Sequence, residues 1–201
     1  MQATPARIED FKHGRVPRAV RQRQLVELAE QLFAERGYSG ASMDELCRRA
    51  GVTKPVVYEL FGNKEGLFKA CVEQAIARMA ASIVDAFHAE ADPEKRLRAG
   101  GMAFLTFARD NRVAWDLMTM GGTFAEQAHG VRRSQAQLIH GLMQEIAPEG
   151  VDPRELEAAA WTVNSAYEGA AYWMWEHPDV PVEQVADWLV ELLLPGLRRF
   201  V

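Results

Sequence analysis

Over residues 19–36 the apolar positions Leu25, Leu28, Ala29, Leu32 and Phe33 recur three and four apart, which puts them on one face of a helix. Gly37 closes that segment. A shorter pattern follows. Ser42 and Glu45 form a capping-box pair, a hydroxyl and a carboxylate that each satisfy a free N–H at a helix start. Leu46 and Ala50 then share a face, and Gly51 supplies the left-handed position that ends such a helix. Thr53 is the next N-cap, Pro55 sits where its missing N–H costs nothing, and Val56, Leu60 and Phe61 continue the apolar stripe. Two short helices about a glycine-centred turn predict a helix-turn-helix over residues 42–64, a unit whose second helix commonly lies in a DNA major groove.

Beyond Asn63 the pattern predicts a long amphipathic helix to about residue 90, with Leu67, Cys71, Ala75, Met79, Ile83 and Phe87 on one side. At 1.5 Å per residue it is about 40 Å long, enough to connect a small head to a second body. Asp92 and Pro93 break it, because the residue before proline is pushed out of the helical region. Further helices are predicted over residues 93–109, briefly within 111–122, from Thr123 to about 146, over 153–175 and from about 182, where Pro195 is expected to kink or interrupt the last one. Residues 1–17 carry no sustained periodicity and read as a mobile arm. With no period-two alternation and no internal repeat, the fold class is all-α with about nine helices.

The hydrophobic content of 48% over 201 residues is ample for a core. The net charge of -5 argues against nucleic acid until the chain is divided at Lys69. Residues 1–69 hold 12 Lys and Arg against 9 Asp and Glu, whereas residues 70–201 hold 11 against 19, an asymmetry suited to a DNA-facing head on an acidic body. Cys47 and Cys71 lack C-x-x-C spacing, so neither a disulfide framework nor a zinc site is expected. No secretory leader or bilayer-spanning run is visible, and a cytoplasmic protein without a membrane role is expected.

The stretch GYSGASMDEL at 37–46, followed by RAGVTKPVVYELFGNKEGLF at 49–68, resembles the DNA-binding domain of the tetracycline-repressor (TetR-like) family, over residues 19–75. After the flexible arm at 1–17, the resemblance implies a helix-turn-helix domain at 18–69 and a helical effector-binding and dimerisation domain at 70–201. It also implies DNA contacts at Ser42, Thr53, Lys54, Tyr58 and Lys64. Hydroxyls at helix starts suit phosphate oxygens, as do the Tyr58 phenol and the Lys64 charge. Lys54 can also donate to guanine, while Val57 or Pro55 can touch a thymine methyl. Glu59 is expected to point away from the phosphates, which would repel it.

For the body, a mostly apolar lining with a few polar groups suggests a ligand cavity built from Phe104, Phe107, Trp115, Met118, Met120, Trp161, Asn164, Tyr167, Glu168 and Tyr172. Asn164 and Glu168 share a face at i and i+4, and once buried each needs a partner from protein or ligand. Small residues Ala159, Ala166, Gly169 and Ala170, with Trp173, Trp188, Leu189 and Leu192, are candidates for the two-fold helix interface that the resemblance implies. The partners expected are double-stranded DNA bearing an inverted repeat, a second copy of the chain, and an apolar or aromatic effector; no cofactor or metal is expected. A helix-turn-helix protein without small-molecule control is the alternative. An enzyme has little support, since Glu126 and His129 give only half of a di-iron helix signature and no phosphate loop or nucleophile motif appears.

Overall fold

Side-chain caps from Ser42, Asn63, Asp92 and Asp152 set four of the helix starts in the computed structural model, which describes residues 16–119 and 125–200. Among the described residues there are nine α-helices and no strand. They are α1 Arg18–Gly40, α2 Met43–Ala50, α3 Lys54–Phe61, α4 Lys64–His88, α5 Pro93–Asp110, α6 Arg112–Thr119, α7 Ala125–Gln144, α8 Pro153–Glu176 and α9 Val182–Leu197, with a 3-10 turn at Arg198–Phe200. Asp92 caps α5 by accepting from the Lys95 N–H at 3.0 Å, and Asp152 caps α8 by accepting from the Arg154 N–H at 2.9 Å. Residues 1–15 of the predicted arm, and the helix start predicted at Thr123, lie outside the described residues.

The chain divides into two compact units, Met1–Gln74 and Ala75–Val201. In the first, Gly37 at φ 67° breaks the regular course of α1, a conformation that glycine reaches without a Cβ clash. Ser42 Oγ accepts from the Glu45 N–H at 3.1 Å, as a capping box requires. The reciprocal half is replaced: the Glu45 carboxylate turns to Arg49 at 2.6 Å, and Arg49 also binds Glu35 at 2.7 Å, because a guanidinium offers a stronger, charge-assisted bond than a backbone N–H. Leu25, Leu46, Val57 and Cys71 are fully buried at the centre. Phe33, Tyr38 and Phe68 pack as a ring cluster with centroids 5.2–5.8 Å apart.

In the second unit α7 packs along α8, and α5 lies against both α8 and α9. Leu105, Trp115, Ala160, Ala171 and Ala186 are fully buried. The expected interruption at Pro195 does not occur, and α9 continues to Leu197. Proline's φ is already helical, and the carbonyl bond it forfeits, to Glu191, lies on an exposed part of the last turns. Among the described residues no helix is long and apolar enough to cross a membrane.

Candidate functional site

The first unit presents a polar face around the start of α3. Thr53 is the N-cap by backbone geometry, yet its hydroxyl makes no capping bond; Pro55 has no N–H and the Val56 N–H donates to the Thr53 carbonyl at 3.1 Å, so the Lys54 N–H stands beside an uncommitted hydroxyl at this helix start. Ser42, Thr53, Lys54, Pro55 and Tyr58 are all exposed. The Lys54 ammonium lies 2.8 Å from the Asp44 carboxylate, and that hydrogen bond holds the Lys54 pKa above the usual lysine value. An ammonium at the N-terminal end of a helix opposes the helix dipole, and Asp44 offsets that.

Val57 overturns an expectation. It is fully buried and packs in the core of the first unit, so it offers no methyl contact to DNA, and Pro55 is left as the exposed apolar residue of that turn. The apolar stripe of α3 is centred on Val57, with Val56, Leu60 and Phe61 only half-buried around it. Glu59 is largely exposed and pairs with Arg18 at 3.2 Å. Lys64 is held in place: its Nζ donates to the Ser39 carbonyl at 3.3 Å and lies 4.6 Å from the centre of the Tyr38 ring. Gly66 is required just beyond, because a Cβ there would come within 2.1 Å of the Phe61 carbonyl oxygen. That close approach joins the end of α3 to the start of α4.

The second unit holds a partly open apolar cavity of about 70 Å³. Its walls come from α4 (Ile83, Phe87), α5 (Leu97, Gly100, Gly101, Phe104), α7, α8 (Val163, Tyr167) and α9 (Leu193, Leu197). Of the ten residues expected to line a cavity, Phe104 and Tyr167 do so. Met120 lies outside the described residues. Phe107, Trp115, Met118, Trp161, Asn164, Glu168 and Tyr172 are not in its walls. The physical reason is that the rings among them pack against other rings instead of facing a void. Trp115 packs edge-on against Phe104, Tyr172 and Trp175, with centroids 5.3–6.1 Å apart, and Arg112 lies 3.8 Å from the Trp175 ring centre. Tyr172 is 42% exposed.

Glu168 has a protein partner, Arg132, which donates to it at 2.8–3.0 Å and whose own pKa is raised by that bond. Asn164 does not resolve so simply, since its Oδ1 is buried with no hydrogen-bond partner among the described residues. Burial pushes the Tyr167 phenol up to about 12, so it stays neutral and keeps its proton. The pair Gly100 and Gly101 in mid-α5 was the overlooked sequence signal, because glycines inside a helix cost about 1 kcal/mol each unless something must approach closely. At Gly101 something does: a Cβ would lie 2.1 Å from the Tyr167 hydroxyl.

On the outside of α8 and α9, Trp173, Trp188 and Leu192 are 37%, 45% and 74% exposed and, with Ala170 and Leu189, line a shallow apolar groove. Ala166 is half-buried and Gly169 exposed. Ala159 packs instead against the buried cluster of Met143, Leu156, Ala160 and Phe200, and Leu189 contributes to the cavity as well as to the groove. Among the described residues no group of three or more His, Cys, Asp or Glu is placed to hold a metal.

Residues 25–71 match the family described as bacterial regulatory proteins, tetR family, and residues 93–196 match the tetracyclin repressor-like C-terminal domain. The HTH-type transcriptional activator FasR of Mycolicibacterium smegmatis is 36% identical over 105 residues, covering 52% of this chain and 48% of that protein, so the chain matches about half the length of this relative. The HTH-type transcriptional regulator BetI of Rhizobium meliloti is 27% identical over 156 residues, 74% of this chain and 76% of that one. A TetR-like transcriptional regulator from Rhodococcus sp. RHA1 superimposes with a TM-score of 0.69 at 27% identity, over 92% of this chain and 99% of its own.

Proposed function

The chain belongs to the tetR family of bacterial regulatory proteins, and we propose that this DNA-binding transcriptional regulator is a homodimeric repressor, released from an inverted-repeat operator by an apolar effector. The observation that carries the DNA reading is the start of α3, where an uncapped helix N-terminus and the exposed Thr53, Lys54 and Tyr58 face solvent together. Thr53, Ser42 and Tyr58 serve the phosphates, Lys54 trades Asp44 for a base edge or phosphate, and Lys64 adds a positioned charge. The head is residues 18–69 and the body 70–201.

Dimerisation is supported by the exposed apolar groove on α8 and α9, since Trp173, Trp188 and Leu192 are costly to leave in water. Two-fold symmetry then provides two recognition helices, and the operator takes the form of two half-sites about one helical turn or more apart. Effector control is supported by the cavity. Its occupant acts by binding two states of the body unequally, with α4, which contributes Ile83 and Phe87 to the walls and Lys64 to the head, as the element that carries the difference. We assign no enzymatic role, in keeping with a family of regulators.

FasR is named an activator, and that name favours a second reading in which the same DNA-bound dimer promotes transcription. Selection of bound sequences from random DNA, followed by a reporter carrying the recovered site, tests these points. An inverted repeat and lower reporter output are expected. An asymmetric single site sinks the dimer reading, and higher output replaces repression by activation. A regulator without small-molecule control remains if no apolar compound alters operator affinity in a mobility-shift assay.

A further inference from the structure

The cavity's walls are almost wholly hydrocarbon, and the two exceptions differ sharply in what they offer a ligand. One is Glu94, a carboxylate whose charge is engaged by Arg198 Nε at 3.1 Å. The other is Tyr167, whose side chain is buried and whose hydroxyl is tucked against α5 at Gly101. No hydrogen bond among the described residues occupies that hydroxyl. Among the described residues no Lys, Arg or His is in the walls; Arg98, whose charge reaches Tyr167, is ion-paired with Asp187 outside the lining.

From this arrangement we infer that the cavity takes an uncharged aliphatic molecule carrying one oxygen acceptor, an alcohol, ester or ketone, which receives a hydrogen bond from Tyr167, and that it excludes the corresponding carboxylate. The inference rests on the effector reading above and gives that effector a chemical class. The tail fills the space between Ile83, Leu97, Met143 and Leu193, gaining transfer free energy in proportion to its buried area. A carboxylate would enter without a cation in the walls and with Glu94 as neighbour, so it would lose its hydration for nothing. Gly101 is the positioning residue. Only its missing Cβ lets the phenol sit against the helix and leaves the remaining space to the tail.

Titration calorimetry with 1-decanol and with decanoate at pH 8 tests the inference on the intact protein. Decanol is expected to bind at least about tenfold more tightly than decanoate. Tyr167→Phe keeps the ring and removes the donor, so it should weaken decanol about fivefold and leave decanoate unchanged. Leu193→Trp, which fills the cavity, should abolish decanol binding. Decanoate binding equal to or tighter than decanol overturns the inference, as does decanol affinity untouched by Tyr167→Phe or by Leu193→Trp. A mobility-shift assay on the selected operator separates the two levels. Decanol that binds in a Tyr167-dependent way without changing operator affinity supports the ligand class and removes the effector control.

Discussion

The α2–α3 pair and the α8–α9 pair both leave a face unsatisfied, but in opposite chemical senses. Around α3 the exposed groups are hydroxyls, a phenol and an ammonium at a helix start, which suit an anion in water. Along α8 and α9 the exposed groups are indoles and a leucine, which suit another apolar surface. The difference shows that one all-α chain can expose two faces of opposite chemistry without either compromising the cores beneath. Polar recognition uses helix ends, whereas apolar recognition uses helix sides, and the two demands seldom fall on the same residues.

That contrast can be broken or sharpened experimentally. Leu46→Ala removes a fully buried side chain beneath the polar face, and a loss of about 2–5 kcal/mol is expected in denaturant unfolding of the head. A smaller change would mean that the head is less tightly packed than its burial implies. Trp188→Glu, on the apolar face, is expected to weaken self-association by about 2 kcal/mol or more in sedimentation equilibrium while helix content by circular dichroism stays the same. Unchanged association would move the interface elsewhere.

Lys64→Ala decides between two roles for one side chain. A phosphate contact predicts weaker binding to all sequences alike, with the slope of log affinity against log salt reduced by about 0.9. A purely structural role, through Ser39 and Tyr38, predicts a lower melting temperature with the slope unchanged. The ion pairs of Arg49 give a pH signature. Its hydrogen bonds hold both Glu35 and Glu45 below the ordinary glutamate value. Their contribution is therefore complete above that ordinary value and is lost as the pH falls through the depressed one. Arg49→Met should flatten this acid-side decline in head stability, measured by thermal melts from pH 6 to 3; an unaltered decline would assign it to other carboxylates. The smallest effect is expected for Asn164→Leu, within about 1 kcal/mol of neutral, because it removes an unpaired buried oxygen without changing volume greatly. A large loss of stability would mean that the amide has an energetic role beyond an orphaned acceptor.

Much of the head was legible in the chain, and the residues explain why. Ser42, Gly51 and Pro55 act on backbone groups within a few residues of themselves, so their meaning is local. Val57 was misread because α3 has only eight residues; over two turns, a stripe through Val56 and Leu60 and one through Val57 fit the pattern almost equally. In the body, Phe104 and Tyr167 were anticipated as cavity residues, while Trp115 and Tyr172 were grouped with them on aromatic character alone. Character does not distinguish a ring that faces a void from one that packs against another ring.

By itself the sequence determined the helices found among the described residues, the caps at Ser42 and Asp152 and the turn at Gly51, because hydrogen bonding and apolar periodicity act between neighbours in the chain. Tertiary structure alone decided which apolar residues enclose space. Gly101 and Tyr167 lie on different helices and meet only because α5 and α8 pack together, and a hydroxyl 2.1 Å from where a Cβ would stand is a relation between the side chain of one helix and the backbone of another that no local pattern encodes.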